Sequence, residues 1–134
     1  MTLELSVPAS GDRWFDWLVR QRFAHLPENE RVALARRLRQ VRDRVLQYGG
    51  IAPGDRVLDV GCGTGLLAFG AVDRVCPNGR VIGVDISAAN VAFCMDMAAR
   101  EGPSQQMDFV VGDALALPFR NASFDVVVCR SVLI

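Results

Sequence analysis

Three glycines punctuate the stretch RVLDVGCGTGLLAFG, residues 56–70. They are Gly61, Gly63 and Gly65, and Asp59 precedes the first of them by two positions. Glycines at alternate positions let a loop take positive φ angles and bring bare backbone against a ligand. Their spacing discriminates among ligands. A dinucleotide loop reads G-x-G-x-x-G, and its third glycine would fall at position 66, which is Leu66. A phosphate-cradling P-loop needs Gly-Lys-Ser/Thr, and all 15 basic residues of this sequence are arginine. G-x-G-x-G with Asp59 ahead of it suits a ligand that brings no pyrophosphate. Asp85 follows Gly65 by 20 residues, at the place where a carboxylate accepts hydrogen bonds from two ribose hydroxyls.

Other chemistry finds little support. The cysteines, at 62, 76, 94 and 129, form no C-x-x-C pair, and His25 is the single histidine. Neither a zinc site nor a disulfide framework is expected, and a reducing cytoplasm is the default compartment. Cys62 reads as a small packing residue rather than a nucleophile. The case for His25 as a general base rests only on its being the sole histidine, so no catalytic residue is assigned.

The elements that must position these residues alternate in type. Residues 1–10 read as loosely ordered. GDRWFDWLVRQRFAHL predicts a helix whose Trp14, Phe15, Leu18 and Phe23 supply apolar surface. Pro27 and Glu28 open a second helix that runs to about Tyr48, with Leu34, Leu38, Val41 and Val45 as its apolar stripe. Arg31, Arg36, Arg37, Arg39, Arg42 and Arg44 read as its solvated face. Gly49–Gly50 stops it. From there DRVLDVG predicts a strand, TGLLAFGAVDRV a helix, CPNG a turn and RVIGVD a second strand. Ser87 caps a helix over AANVAFCMDMAARE that ends at Gly102. MDFVVGD and FDVVVCR are the third and fourth strands, joined by the connection ALALPFRNAS. Strands alternating with helices imply right-handed crossovers and a parallel sheet, and their continuous apolar character implies cover on both faces. Ligands of such sheets sit beyond the carboxyl ends of the strands, where strand order reverses. Gly61, Gly63 and Gly65 follow strand one, Asp85 ends strand two, Asp113 follows strand three, and Arg130 with Ser131 follows strand four.

VLDVGCGTG, GVDIS, GDALALPF and SFDVVVCRSVLI together resemble the successive motifs of class I S-adenosylmethionine-dependent methyltransferases, nearest to those acting on small molecules such as quinones and natural products. The resemblance covers about residues 50–134 and implies an α/β, Rossmann-like, doubly wound parallel sheet in strand order 3-2-1-4. Residues 1–49 form an N-terminal helical segment and residues 50–134 the cofactor-binding domain. The cofactor implied is S-adenosylmethionine, with S-adenosylhomocysteine as product. Asp59 is then the residue that steadies the glycine loop and the cofactor's ammonium end. Gly61, Cys62, Gly63 and Gly65 lie along the methionine and ribose portions. Asp85 takes both ribose hydroxyls, and Ile86 lies on the adenine face. Asp113 accepts from the exocyclic amine while the Ala114 amide reaches a ring nitrogen. Arg130 and Ser131 border the methionine carboxylate and the entry to the substrate cleft.

The sequence stops just after strand four, where the family's sheet continues, so a truncated sheet is expected. The exposed edge of strand four predicts self-association or a partner chain that covers it. Zero net charge argues against a nucleic-acid partner, and no apolar run approaches about 20 residues, which argues against a membrane span. Three functions stay open: methyl transfer to a small-molecule acceptor, a cofactor-binding or assembly module without transfer of its own, and a non-methylating enzyme such as a cyclase on the same fold.

Overall fold

A computed structural model of the 134-residue chain describes residues 11–101 and 104–130. The readings of residues 1–10 as loosely ordered, of Gly102 as a helix end and of Ser131 as a site residue lie outside the described residues. The chain falls into two compact units, one up to residue 41 and one from residue 42 onward.

In the first unit Asp12 caps helix α1 (Arg13–Trp17), its carboxylate accepting from the Phe15 amide at 3.0 Å. A π-helical turn, Leu18–Arg22, continues α1 and closes with a bond from the Phe23 amide to the Leu18 carbonyl. The single helix expected over residues 11–26 is therefore shorter and changes pitch. Pro27 drives the residue before it out of helical geometry, so regular helix must stop ahead of it. Trp14, Phe15, Leu18 and Val19 are buried, and the Arg39 guanidinium lies over the Phe15 ring at 4.4 Å.

Helix α2 (Glu28–Tyr48) has the predicted span. Its buried positions are Arg31, Ala35, Arg42 and Leu46, whereas Leu34, Leu38, Val41 and Val45 are only half-buried. The arginine row is thus not wholly a solvated face. Arg36, Arg37 and Arg44 are exposed, but Arg31 and Arg42 are buried.

The second unit is one parallel sheet. Strands β1 (Arg56–Val60), β2 (Arg80–Asp85), β3 (Met107–Val111) and β4 (Val126–Cys129) stand in the order β3-β2-β1-β4. Register runs Val57↔Val81, Val81↔Met107 and Val57↔Val126. The chain walks from β1 outward to β3 and then jumps back across β1, so the order reverses beside β1. Helices α3 (Leu66–Val75) and α4 (Ala88–Glu101) cross between the first three strands. Their Leu67, Ala71, Val72, Val75, Val91 and Ala98 close over Val57, Val81, Met107, Phe109 and Val128 to form the core. At the strands' starts, Arg56 pairs with Asp125 and Arg80 with Asp108, tying neighbouring strands in register. The Asp125 carboxyl is held below the usual carboxylate range by the Arg56 amide and then by its guanidinium.

Cover on both faces holds for β1, where consecutive residues Val57, Leu58 and Asp59 are all buried. It fails further out. On the face opposite α3 and α4, Ile82 and Val110 are half-buried and Val127 is 59% exposed. The physical reason is the crossover from β3 to β4, residues 112–125, which carries no helix to lay on that face.

Candidate functional site

The glycine loop turns sharply off β1. Gly61, Gly63 and Gly65 have φ of 68°, 53° and 94°, the left-handed region where a side chain is strained. The turn is pinned to β2, because the Gly61 and Cys62 amides both donate to the Val84 carbonyl, at 2.7 and 3.0 Å. Gly65 precedes α3 and has no room for a Cβ, which would lie 2.3 Å from the Phe69 ring.

Asp85 ties this loop to the next helix. Its Oδ2 accepts from the Gly63 amide at 2.9 Å, and its Oδ1 from the Ser87 amide at 2.8 Å and from Asn90 Nδ2 at 3.4 Å. Ser87 caps α4 as predicted, its hydroxyl accepting from the Asn90 amide at 3.2 Å. One carboxylate therefore fixes the ends of β1 and β2 and the first turn of α4 relative to one another.

Beside it opens a cleft of about 270 Å³, lined by Gly61, Val84, Asp85, Ile86, Gly112, Asp113 and Ala114. The Gly112 amide donates to the Asp85 carbonyl at 3.0 Å, bringing the end of β3 to the end of β2. Asp113 braces its own turn, Oδ1 accepting from the Leu115 amide at 2.9 Å. Ile86 stands at the rim, 74% exposed. An apolar side chain held open beside the cleft offers a flat ring a surface that both would gain by covering.

Asp59 lies behind the loop, 1% exposed, and its Oδ2 has no hydrogen-bond partner. Burial pushes its carboxyl up to about 7, the Asp85 charge adds to that, and the Ala68 amide at the start of α3 opposes it. Cys62 and Cys94 are buried next to it. Cys94 Sγ reaches the Gly63 carbonyl at 3.3 Å, and the Cys62 thiol followed by burial raises the Cys94 thiol well above its ordinary value. The Cys94 thiol thus lacks the lowered pKa of a nucleophile.

The structure brings Gly61, Asp85, Ile86, Asp113 and Ala114 to one cleft, with Asp59, Cys62, Gly63 and Gly65 forming the loop and its support. Arg130 is not part of that gathering. It follows β4 on the far side of β1 from β2 and is exposed. Sequence reasoning missed Val84 and Gly112, which line the cleft, and Asn90, which holds Asp85. Gly112 carried a signal, a glycine between a strand and an acidic residue. Asn90 carried a weaker one, an amide five positions beyond Asp85 in the first turn of a helix. Among the described residues no cluster of side chains could hold a metal ion, and no helix is long and apolar enough to cross a membrane.

A parallel sheet whose first strand ends in a bent glycine loop, with acids after the next two strands, is a doubly wound α/β domain with its cleft at the carboxyl ends of the strands. Residues 57–134 match the family described as "Methyltransferase domain", and the chain belongs to that family. It is 40% identical over 80 residues to a 2-phytyl-1,4-naphtoquinone methyltransferase of Synechocystis sp., covering 60% of this chain and 34% of that protein. Among solved structures it is similar to the [4+2]-cyclase SpnF, at 33% identity and a TM-score of 0.59 over 65% of this chain and 31% of the other. It is also similar to a geranyl diphosphate methyltransferase solved in complex with S-adenosylmethionine, at 30% identity and a TM-score of 0.60 over 69% and 38%. The chain spans about a third of the length of the curated relatives it matches. Its four strands in the order 3-2-1-4 are those of the Rossmann-like methyltransferase fold.

Proposed function

We propose that this chain is the cofactor-binding part of an S-adenosylmethionine-dependent methyltransferase that modifies a small-molecule acceptor. The observation that carries the reading is the cleft itself. Bare glycine backbone, the Asp85 carboxylate and the open Ile86 side chain meet there, and the buried Asp59 with an unpartnered oxygen stands behind them. That donor and acceptor set fits an adenosyl group joined to a cationic amino-acid end. In this reading Asp85 accepts from the ribose, Ile86 covers the adenine, and Asp113 with the Ala114 amide meets its polar edge. The glycine loop packs along the ribose and methionine portions, and Asp59 supplies negative charge toward the ammonium. Arg130 and Ser131, after β4, border the methionine carboxylate and the acceptor's entry.

When bound, S-adenosylmethionine supplies an electrophilic methyl group on a sulfonium. The chain's task is then chiefly to hold that group still and oriented, which accounts for much of the acceleration in such transfers. No side chain of the cleft is placed as a general base, so a weak nucleophile would have to be deprotonated by residues outside it. A quinone-type acceptor is the class favoured by the likeness to the Synechocystis naphthoquinone methyltransferase, and natural-product chemistry in the cytoplasm is the setting the reading implies. A second reading has its own support. The likeness to the [4+2]-cyclase SpnF favours a non-methylating enzyme on the same fold, and a cofactor-binding module without transfer of its own fits the same cleft.

Calorimetry with S-adenosylhomocysteine tests the site. Binding by the wild type is expected, and Asp85→Ala weakens it by about 1–3 kcal/mol, the loss of hydrogen bonds to a charged acceptor. A folded sample that takes up no ligand at millimolar concentration sinks the methyltransferase and module readings together. Binding without methylation of any quinone, phenol or amine offered would favour the module or cyclase reading.

A further inference from the structure

Helix α2 carries six arginines against three acids, Glu28, Glu30 and Asp43. Both glutamates sit in its first turn, and Asp43 is taken up by Arg42 at 3.0 Å. Between Arg31 and Arg42 there is no acid at all. Zero charge over the whole chain therefore hides a basic helix. Exposure sorts its arginines. Arg31 and Arg42 are buried and Arg39 is half-buried over Phe15, whereas Arg36, Arg37 and Arg44 are exposed. Those three have no ion-pair partner among the described residues. Arginines of the sheet are matched instead, Arg56 with Asp125, Arg80 with Asp108 and Arg100 of α4 with Asp96. Three unmatched guanidinium groups within nine residues of one helix set up a standing positive field that attracts anions.

The neighbouring positions narrow the partner. α2 is one unbroken helix, so the order of side chains around it follows from its turn. Arg37, Gln40, Arg44 and Tyr48 succeed one another at three- and four-residue steps and form one row. All four are exposed, Tyr48 by 86%. Leu34, Leu38, Val41 and Val45 follow the same kind of steps, each of the last three one position beyond a member of the first row. They form the adjoining row and are only half-buried. The outer side of α2 is thus basic, and its shoulder is apolar. A nucleic acid would meet the arginines and leave that shoulder in water. An anionic lipid surface meets both. Its phosphates accept paired hydrogen bonds from guanidinium groups, and the apolar shoulder and the Tyr48 ring rest at the boundary between headgroups and acyl chains. No helix among the described residues is long and apolar enough to cross a membrane, so this is contact along a surface.

We propose that the outer side of α2 docks the chain on an anionic phospholipid surface, held there by Arg36, Arg37 and Arg44. What is recognised is a layer of phosphodiester groups over hydrocarbon. The proposal is independent of the adenosyl reading of the cleft, and it gives the exposed part of the arginine row a partner in place of water.

The test is co-sedimentation of the 134-residue chain with vesicles of phosphatidylcholine alone and of phosphatidylcholine with phosphatidylglycerol. The wild type is expected to bind only the vesicles that contain phosphatidylglycerol, and high salt is expected to release it. Replacing Arg36, Arg37 and Arg44 together by glutamine should cost about fivefold in affinity per arginine, and so about a hundredfold in all. Lysine at the same three positions keeps the charge and should keep most of the binding. Both replacements are good helix formers, and a helical circular-dichroism spectrum checks that each variant folds. Arg120→Gln, exposed on the crossover after β3, should leave binding unchanged. Wild type that binds both vesicles alike, or neither, overturns the proposal. So does a glutamine variant that binds as the wild type does, or a folded lysine variant that loses as much as the glutamine one. Duplex DNA that displaces the chain from the vesicles at equal phosphate concentration would reassign the face to nucleic acid and overturn the lipid reading.

Discussion

Asp59 is a carboxyl placed where water cannot reach it, facing the Ala68 amide on α3, the Asp85 carboxylate at the end of β2, and the Cys62 and Cys94 thiols. Its acid form is favoured in the fold, with a pKa of about 7 against 3.8 unperturbed. The folded protein therefore binds more protons than the unfolded chain between about pH 4 and 7, and stability falls as pH rises across that window and levels off above it. Asp59→Asn should flatten this dependence, matching wild type near pH 4.5 and exceeding it by a few kcal/mol at pH 8. Melting temperature against pH reads this directly, and a wild-type curve flat between pH 5 and 7 would refute it. If the buried charge serves a cationic ligand end, S-adenosylhomocysteine should also bind more tightly at pH 8 than at pH 6, a difference that Asp59→Asn removes. Most of these site residues were legible in the sequence, because a glycine at a fixed spacing or an acid at a strand end needs only local geometry to be meaningful. Asn90 was not, since its meaning depends on the direction from which α4 returns to the Asp85 carboxylate. Arg130 follows β4, across β1 from the strands that line this cleft, and its place at the methionine end belongs to the proposed reading rather than to the cleft.

Strands and helices were read with few errors where one signal dominated. β2 spans the residues RVIGVD predicted for it, and Ser87 starts α4, because an apolar run bounded by turns and a hydroxyl cap are strong local rules. The first helix was harder. Its aromatic run fits an α-helix as well as the π turn that follows α1, and periodicity does not separate the two. On α2, hydropathy pointed to Leu34, Leu38, Val41 and Val45, while the buried positions are Ala35 and Leu46 together with two arginines, Arg31 and Arg42. Gly83 illustrates a constraint invisible along the chain. It lies in β2 opposite Asp59, and a Cβ there would come within 2.6 Å of the Phe109 ring and 3.0 Å of the Cys62 sulfur. Phe109 is itself packed on Phe69 of α3, so the ring has little freedom to retreat. Gly83→Ala is predicted to destabilise the fold by about 1–3 kcal/mol, the usual cost of overpacking. A chemical-denaturation midpoint equal to that of wild type would show that the core has slack at this point.

At the scale of the whole molecule, the sheet has two edge strands among the described residues, β3 and β4. β4 pairs only with β1 among the described strands, so the backbone groups of its outer edge have no strand partner. The face opposite α3 and α4 adds to this, because Val127 is 59% exposed there and Ile82 and Val110 are only half-buried. An unpaired edge and an exposed apolar side chain are each associative, and Val127 brings the two together on β4. We propose that another polypeptide surface covers it, and that for this 134-residue chain alone a second copy does so. The edge of β4 alone predicts self-association or a covering partner chain, and Val127 adds apolar surface to what that partner has to cover. Sedimentation over a wide concentration range should show the 14.6 kDa chain moving toward twice that mass. Val127→Lys, which puts a charge on the exposed face without touching the core, should shift that transition to higher concentration by about tenfold, as expected if about 1.4 kcal/mol of contact free energy is lost. Because Val127 lies across β1 from the cleft between β2 and β3, the same variant should leave the affinity for S-adenosylhomocysteine unchanged. A monomer at every concentration would rule out the second copy as the cover, and weakened ligand binding in Val127→Lys would mean that the open face and the cleft are coupled through β1.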